Sequence, residues 1–209
     1  MFSKNIVNFV LLALLPIYIF IHTTLLPIEL SISGVKDSGF ISIITLTFQV
    51  SVLLMLIVFL HQANLGSNKL SVITIFYVLL IYFLREADFH RLFTLEHVTR
   101  LKFYTMDIIP AWQKYIAASM LLLFLLCLLL LLIKHGSFAL NRLKIFEPWA
   151  VALLLWFSLL IFSQICDKTD LNGIHLGNVI EECCECWASI FIYLAVIQMF
   201  VHKKCNLQD

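Results

Sequence analysis

Charged side chains are scarce in this 209-residue chain: Asp, Glu, Lys and Arg together make up only 13% of it, about half the share of an ordinary soluble domain. So few charges cannot coat a water-exposed surface. With 62% hydrophobic residues and a mean hydropathy of +0.99, no separate soluble domain fits. A formal net charge of +1 gives no support to a nucleic-acid partner, which would need a basic face. Proline and glycine are also sparse, at 4 and 6 residues, so helix-breaking positions are few. The two-residue alternation of barrel strands is missing too. No P-loop, dinucleotide-binding glycine run, nucleophile elbow or HExxH motif occurs.

What the chain does have is long apolar runs. Six segments, near 6–28, 40–60, 70–84, 115–133, 149–165 and 180–201, approach the roughly 20 residues that a membrane-spanning helix needs. Helix is the expected state, because in hydrocarbon each backbone N–H and C=O must be satisfied within its own segment. The expected fold is therefore all-α: a single transmembrane domain over residues 1–209 with six spans. The third span is short, and 85–93 is a natural continuation of it. Pro16 is expected to kink the first helix and Pro27 to end it. Turns are expected at 34–39, 64–69, 135–142 and 172–178, where Gly, Asn and Ser gather. No repeat relates the first three helices to the last three, which weighs against an inverted-repeat transporter.

Lys and Arg divide evenly between the two sides of such a bundle. Five of those on one side, Arg85, Arg91, Arg100, Lys102 and Lys114, lie in a single connection beside Glu86, Asp88, Glu96 and Asp107. With that cluster set apart as a folded group, the remaining basic residues place both termini in the cytoplasm. The connection also mixes Phe89, Phe93, Phe103, Tyr104 and Trp112 with its basic groups. An amphipathic, interfacial stretch between helices 3 and 4 is expected, with Thr94 capping a short helix through 98–101 and Pro110 starting the fourth span.

Counting crossings brings polar groups together. The third helix ends, the fifth ends and the sixth begins on one face, which collects Arg85, Glu86, Asp88, His90, His97, Asp167, Asp170, His175, Glu181, Glu182 and Glu185, with His22 close by. Residues three or four apart share a helix face, so Glu181, Glu182 and Glu185 lead into Ser189 and Tyr193 as a polar stripe. Glu86 with His90, and Tyr18 with His22, have the same spacing. The second helix adds Ser42, Thr45 and Gln49, whereas the Leu-rich fourth helix offers almost nothing polar and should face lipid.

Ionisable groups at such depth are costly and are functional candidates by default. Three readings compete for them. Arg85, Arg91 and Arg100 can pair with the glutamates in a structural network. Glu86, His90, Glu182 and Glu185 can hold a divalent metal such as zinc, manganese or iron, although Glu86 to His90 is one residue longer than the Glu-x-x-His of di-iron bundles. The same groups can also handle protons or ions. Cys183, Cys184 and Cys186 cannot all point one way on a helix, so small buried hydrophobes are the expected role; Cys166 is close enough in sequence to bridge one of them. His61, His135 and His202 are expected as interfacial imidazoles, and Cys127 as core filler.

LREADFHRLFT, followed by LKFY and later by IEECCE, resembles uncharacterised multi-pass inner-membrane proteins of bacteria, in which an LRE-x-D-F-H-like run precedes a final helix opened by paired glutamates. The resemblance covers about residues 80–190 and implies no known activity, fold or cofactor. It implies that Arg85, Glu86, Asp88, His90, Glu181, Glu182 and Glu185 belong together. The functional expectation is an enzyme or binding protein acting on a membrane lipid. Glu182 or Glu185 would be general base or metal ligand, His90 acid or ligand, and Arg85, Arg91 and Arg100 the clamp for an anionic head group. Transport is the alternative, and it needs polar groups that reach the far side of the bilayer. A scaffold subunit is the third.

Overall fold

The computed structural model describes residues 5–25, 39–62, 69–87, 89, 98, 101–168 and 174–205. Helix is the only regular structure among them. The elements are α1 (Ile6–Phe20), running on into a π-helical stretch at Ile21–Leu25, then α2 (Phe40–Gln62), α3 (Lys69–Glu86), α4 (Leu101–Thr105), α5 (Ala111–Lys144), α6 (Pro148–Lys168) and α7 (Ile174–Cys205). Five of these are long and apolar enough to cross a membrane, over Ile6–Thr24, Phe40–His61, Ala111–Lys144, Pro148–Cys166 and Gly177–Phe200. The 18-residue α3 is helical as expected, but Lys69, Arg85 and Glu86 at its ends keep it out of that set.

Two of the expected turns are helix instead. Residues 135–142 lie inside α5, and 174–178 form the first turns of α7. In the first case a single glycine is too weak a breaker: Gly136 costs a helix about 1 kcal/mol relative to alanine, while Phe138, Ala139, Leu140 and Leu143 continue the helix around it. A short helix of the long connection runs over Leu101–Thr105, and residues 99 and 100 of the helix expected through 98–101 lie outside the described residues. Thr94, Pro27 and the proposed continuation over 90–93 lie outside the described residues. Pro16 does sit within α1, and the π-helical stretch begins five residues beyond it, where the Thr23 hydroxyl donates to the carbonyl of Ile19 at 2.9 Å.

What stops α5 is the turn after Lys144. Phe146 adopts a left-handed φ of 53°, its N–H bonds to Leu143 O at 2.9 Å, and the Glu147 N–H reaches back to Arg142 O at 3.1 Å. These are the two bonds of a Schellman cap, with phenylalanine where glycine is usual. The Glu147 carbonyl then receives the N–H groups of Ala150 and Val151, both at 3.0 Å, and Pro148 opens α6 as a first-turn proline.

Contacts divide the chain into two compact units, Met1–Val52 with Phe138–Asp209, and Leu53–Ser137. In the first, α7 packs along α6 and α1. Ala152 of α6 and Cys183, Cys184, Ala188 and Phe191 of α7 are fully covered, and Leu15, Ile41, Leu159, Val179 and Ala195 complete the core. Small residues at this seam let the backbones approach closely, the usual source of cohesion between helices in lipid. In the second unit, Phe103, Ile109 and Ala117 form a small core joined by Val98, Tyr104 and Met106. There the Tyr77 hydroxyl donates to Met120 O at 3.1 Å, and His135 lies 2.9 Å from Ser71 Oγ, so this imidazole has a protein partner and is more than an interfacial ring.

Helix α5, expected to face lipid, is largely exposed. Only Ala117 and Cys127 are buried along it, while Leu122, Leu125, Leu129, Leu130 and Leu132 are exposed. Its 34 residues span about 51 Å at 1.5 Å per residue, well beyond a roughly 30 Å hydrocarbon core. A methyl group added at Gly136 would meet nothing within 4 Å. Gly136→Ala is therefore expected to raise stability by about 0.5–1 kcal/mol in a detergent-unfolding titration. Destabilisation would mean that this stretch is not an open, regular helix.

Candidate functional site

The polar groups of the first unit gather around the N-terminal half of α7. Successive helical residues turn by about 100°, so each of the Glu and Cys positions from 181 to 186 meets a different neighbour. Ser42 Oγ on α2 lies 3.5 Å from Glu182 Oε2, the outer limit of a hydrogen bond. Cys186, one turn on, lies against the Thr45 side chain, and Tyr193 meets Phe48 edge-on with ring centroids 5.3 Å apart. Glu182, Cys186, Ser189 and Tyr193 thus form a row toward α2, with the buried Ser189 hydroxyl donating to Cys186 O at 2.7 Å.

Glu185 points elsewhere. It is 6% exposed, and the hydroxyl of Ser163 on α6 donates to its Oε1 at 3.0 Å. The stripe read from spacing alone is therefore two rows, one toward α2 and one toward α6. Cys184 shares the α6 side with Cys166, while Cys183 turns toward Tyr18 of α1. The Trp187 indole N–H donates to Leu11 O at 2.8 Å, and the Tyr18 ring lies 5.0 Å from both Trp187 and His22. Cys166, Cys183, Cys184 and Cys186 are all buried, and no disulfide is formed among them. Cys183 and Cys186 do have C-x-x-C spacing; both lie near Tyr18 of α1, and Cys186 also lies against Thr45 of α2.

Tyr18 and His22, paired by their spacing, do meet, and the polar residues expected on the second helix reach α7 at two points, Ser42 at Glu182 and Thr45 at Cys186. Arg85 pairs with its own neighbour Glu86 at 2.9 Å, within the second unit. Asp88, His90, Arg91, Arg100 and the side chain of Asp167 lie outside the described residues. Glu181 is half-buried and near Cys166. No three His, Cys, Asp or Glu side chains among the described residues are placed to hold a metal ion.

Sequence reasoning missed a second polar group at the other end of the unit. Asn5 Nδ2 donates to Phe146 O at 2.8 Å, and Asn8 Nδ2 donates to Pro148 O at 3.0 Å and to Asn5 Oδ1 at 3.2 Å. Gln198 Nε2 of α7 donates to Asn8 Oδ1 at 3.3 Å. Asn5 and Asn8 are at most 1% exposed. Two amides three residues apart at the start of an apolar span were the available signal, since polar groups inside a span seldom lack a partner.

No protein-family model matches this chain. Neither a curated protein nor a solved structure matches it.

Proposed function

We propose that this is an integral membrane protein that binds the head group of a membrane lipid at the acidic end of α7. The single observation that carries this reading is the half-buried Glu182 at the mouth of a helical seam, near Ser42, with Glu185 held behind it by Ser163. An ionised carboxylate only accepts hydrogen bonds. The head group that suits it is therefore a donor, a primary amine or a hydroxyl. Placement at the end of spans suits a ligand whose tails remain in the bilayer. In this proposal α1, α2, α3, α5, α6 and α7 make six crossings of a bacterial inner membrane. Both termini are cytoplasmic, the acidic end faces the opposite side, and the 85–114 connection lies in the head-group layer.

The lipid reading is tested by thermal unfolding in detergent with added lipid. Phosphatidylethanolamine, whose ammonium group carries N–H donors, is expected to stabilise the wild type more than phosphatidylcholine, which has none. Glu182→Gln should erase that difference. Equal protection by the two lipids would end the proposal. A hydrolytic version, with Glu182 as general base, would also require the Glu86 and His90 region to join the site. Its signature is a divalent metal that copurifies with the wild type and is lost in His90→Ala.

A further inference from the structure

Between the two polar ends of the first unit, polar side chains recur along α7 and α2. From Glu182 to Gln198 is 16 residues of α7, or about 24 Å at 1.5 Å per residue, most of a hydrocarbon core about 30 Å thick. Between them α7 offers Cys186, Ser189 and Tyr193, and α2 offers Thr45 and Gln49 on the face that also carries Ser42. Gln198 then hands on to Asn8 and Asn5.

Two amides in this column have unmet hydrogen-bonding atoms. Gln49 is 3% exposed, and among the described residues neither its Nε2 nor its Oε1 has a hydrogen-bond partner. The Oε1 of Gln198 is buried and also without one. At the acidic end, His22 is 8% exposed, with Nδ1 unmet. Amides and imidazoles left unpaired in an apolar bundle are costly, and Gln49 is too deeply covered for another macromolecule to reach. Single water molecules are the partners small enough to serve them.

We propose that this column conducts protons across the membrane between the Glu182 end and the Asn5 end. The inference goes beyond the lipid-binding reading and does not rest on it. A hydrated metal cation would have to shed its water in a seam whose interior, from Cys186 to Gln198, contains no carboxylate. A proton needs no such room. It bonds to a Glu182 oxygen, and as it leaves for the next water one O–H bond forms while another breaks. The transfer repeats past Ser42, Thr45 and Gln49 until a proton is released to water at the far end. No electrons move, and the displaced charge is balanced by a counter-ion. The other titratable groups facing the column are Tyr18 and His22 from α1 and its π-helical extension, and Cys183, Cys186 and Tyr193 from α7; Glu185 and Cys184 lie on the α6 side, with Cys166.

The test is proton uptake by liposomes containing the full-length protein and an enclosed pH dye, driven by a potassium gradient with valinomycin. Wild type is expected to acidify the lumen well above protein-free liposomes. Gln49→Leu should reduce the rate at least tenfold while keeping the ethanolamine-dependent stabilisation. Leucine is close in size and apolar, so the variant should fold; should it not, Thr45→Val makes the same test by removing a hydroxyl at nearly constant shape. Wild-type flux no greater than that of empty liposomes overturns the proposal, and so does a folded Gln49→Leu or Thr45→Val protein that conducts like wild type. Loss of lipid discrimination with flux intact would instead remove only the lipid reading.

Discussion

Phe191→Ala is expected to cost this protein about 3–5 kcal/mol, the range for emptying a fully buried aromatic site. Phe191 is 0% exposed and belongs to the core that joins α7 to its neighbours, together with Leu15, Ile41, Ala152 and Leu159. Lipid tails are as apolar as leucine, so the loss would come from missing van der Waals contacts more than from water exposure. Packing of this density also limits repair. The surrounding helices can close the gap only by shifting Ala188 and Ala195, which are already in close contact with them. Unfolding in mixed micelles by a denaturing detergent would measure the change. A loss below about 1 kcal/mol would mean that Phe191 is not enclosed as described.

Asn8→Leu is expected to be nearly as damaging, for a different reason. It removes the bonds to Pro148 O and Asn5 Oδ1 and leaves Gln198 Nε2 without its acceptor. Hydrogen bonds between membrane helices average about 0.6 kcal/mol and reach about 1.7, so three of them together suggest a loss of about 2–4 kcal/mol. The same titration checks this, and a cycle with Gln198→Leu isolates the pair. The double variant should be less unstable than the sum of the two single variants, because each single change strands the other's partner. Strict additivity would show that Asn8 and Gln198 do not meet.

The outcome of the sequence reading depended on which kind of evidence each residue offered. The acidic and thiol residues of α7 were conspicuous because they interrupt an apolar run, but the 3–4 spacing carried the stripe through Glu185 to Ser189 and Tyr193, whereas the row toward α2 starts at Glu182 and leaves Glu185 out. Spacing could not show that Glu185 turns to Ser163, because a single serine on α6 carries no periodic signal. Asn5 and Asn8 were passed over for a related reason: their principal acceptors are the backbone carbonyls of Phe146 and Pro148, and a carbonyl is invisible in a sequence. The misplaced turn at 135–142 has another cause. Gly136 and Ser137 resemble a break locally, whereas the stop lies at Phe146, whose left-handed φ is set by the cap that forms around it.

Composition alone determined that this chain belongs in a membrane and that its apolar runs are helical, since nothing else satisfies the backbone of such segments in hydrocarbon. Periodicity added the angle at which each polar residue leaves its own helix. Which neighbour waits at that angle was decided only by tertiary packing. Helix pairing follows shape and small-residue fit over many positions at once, and no local pattern in one segment encodes the face that another will present to it.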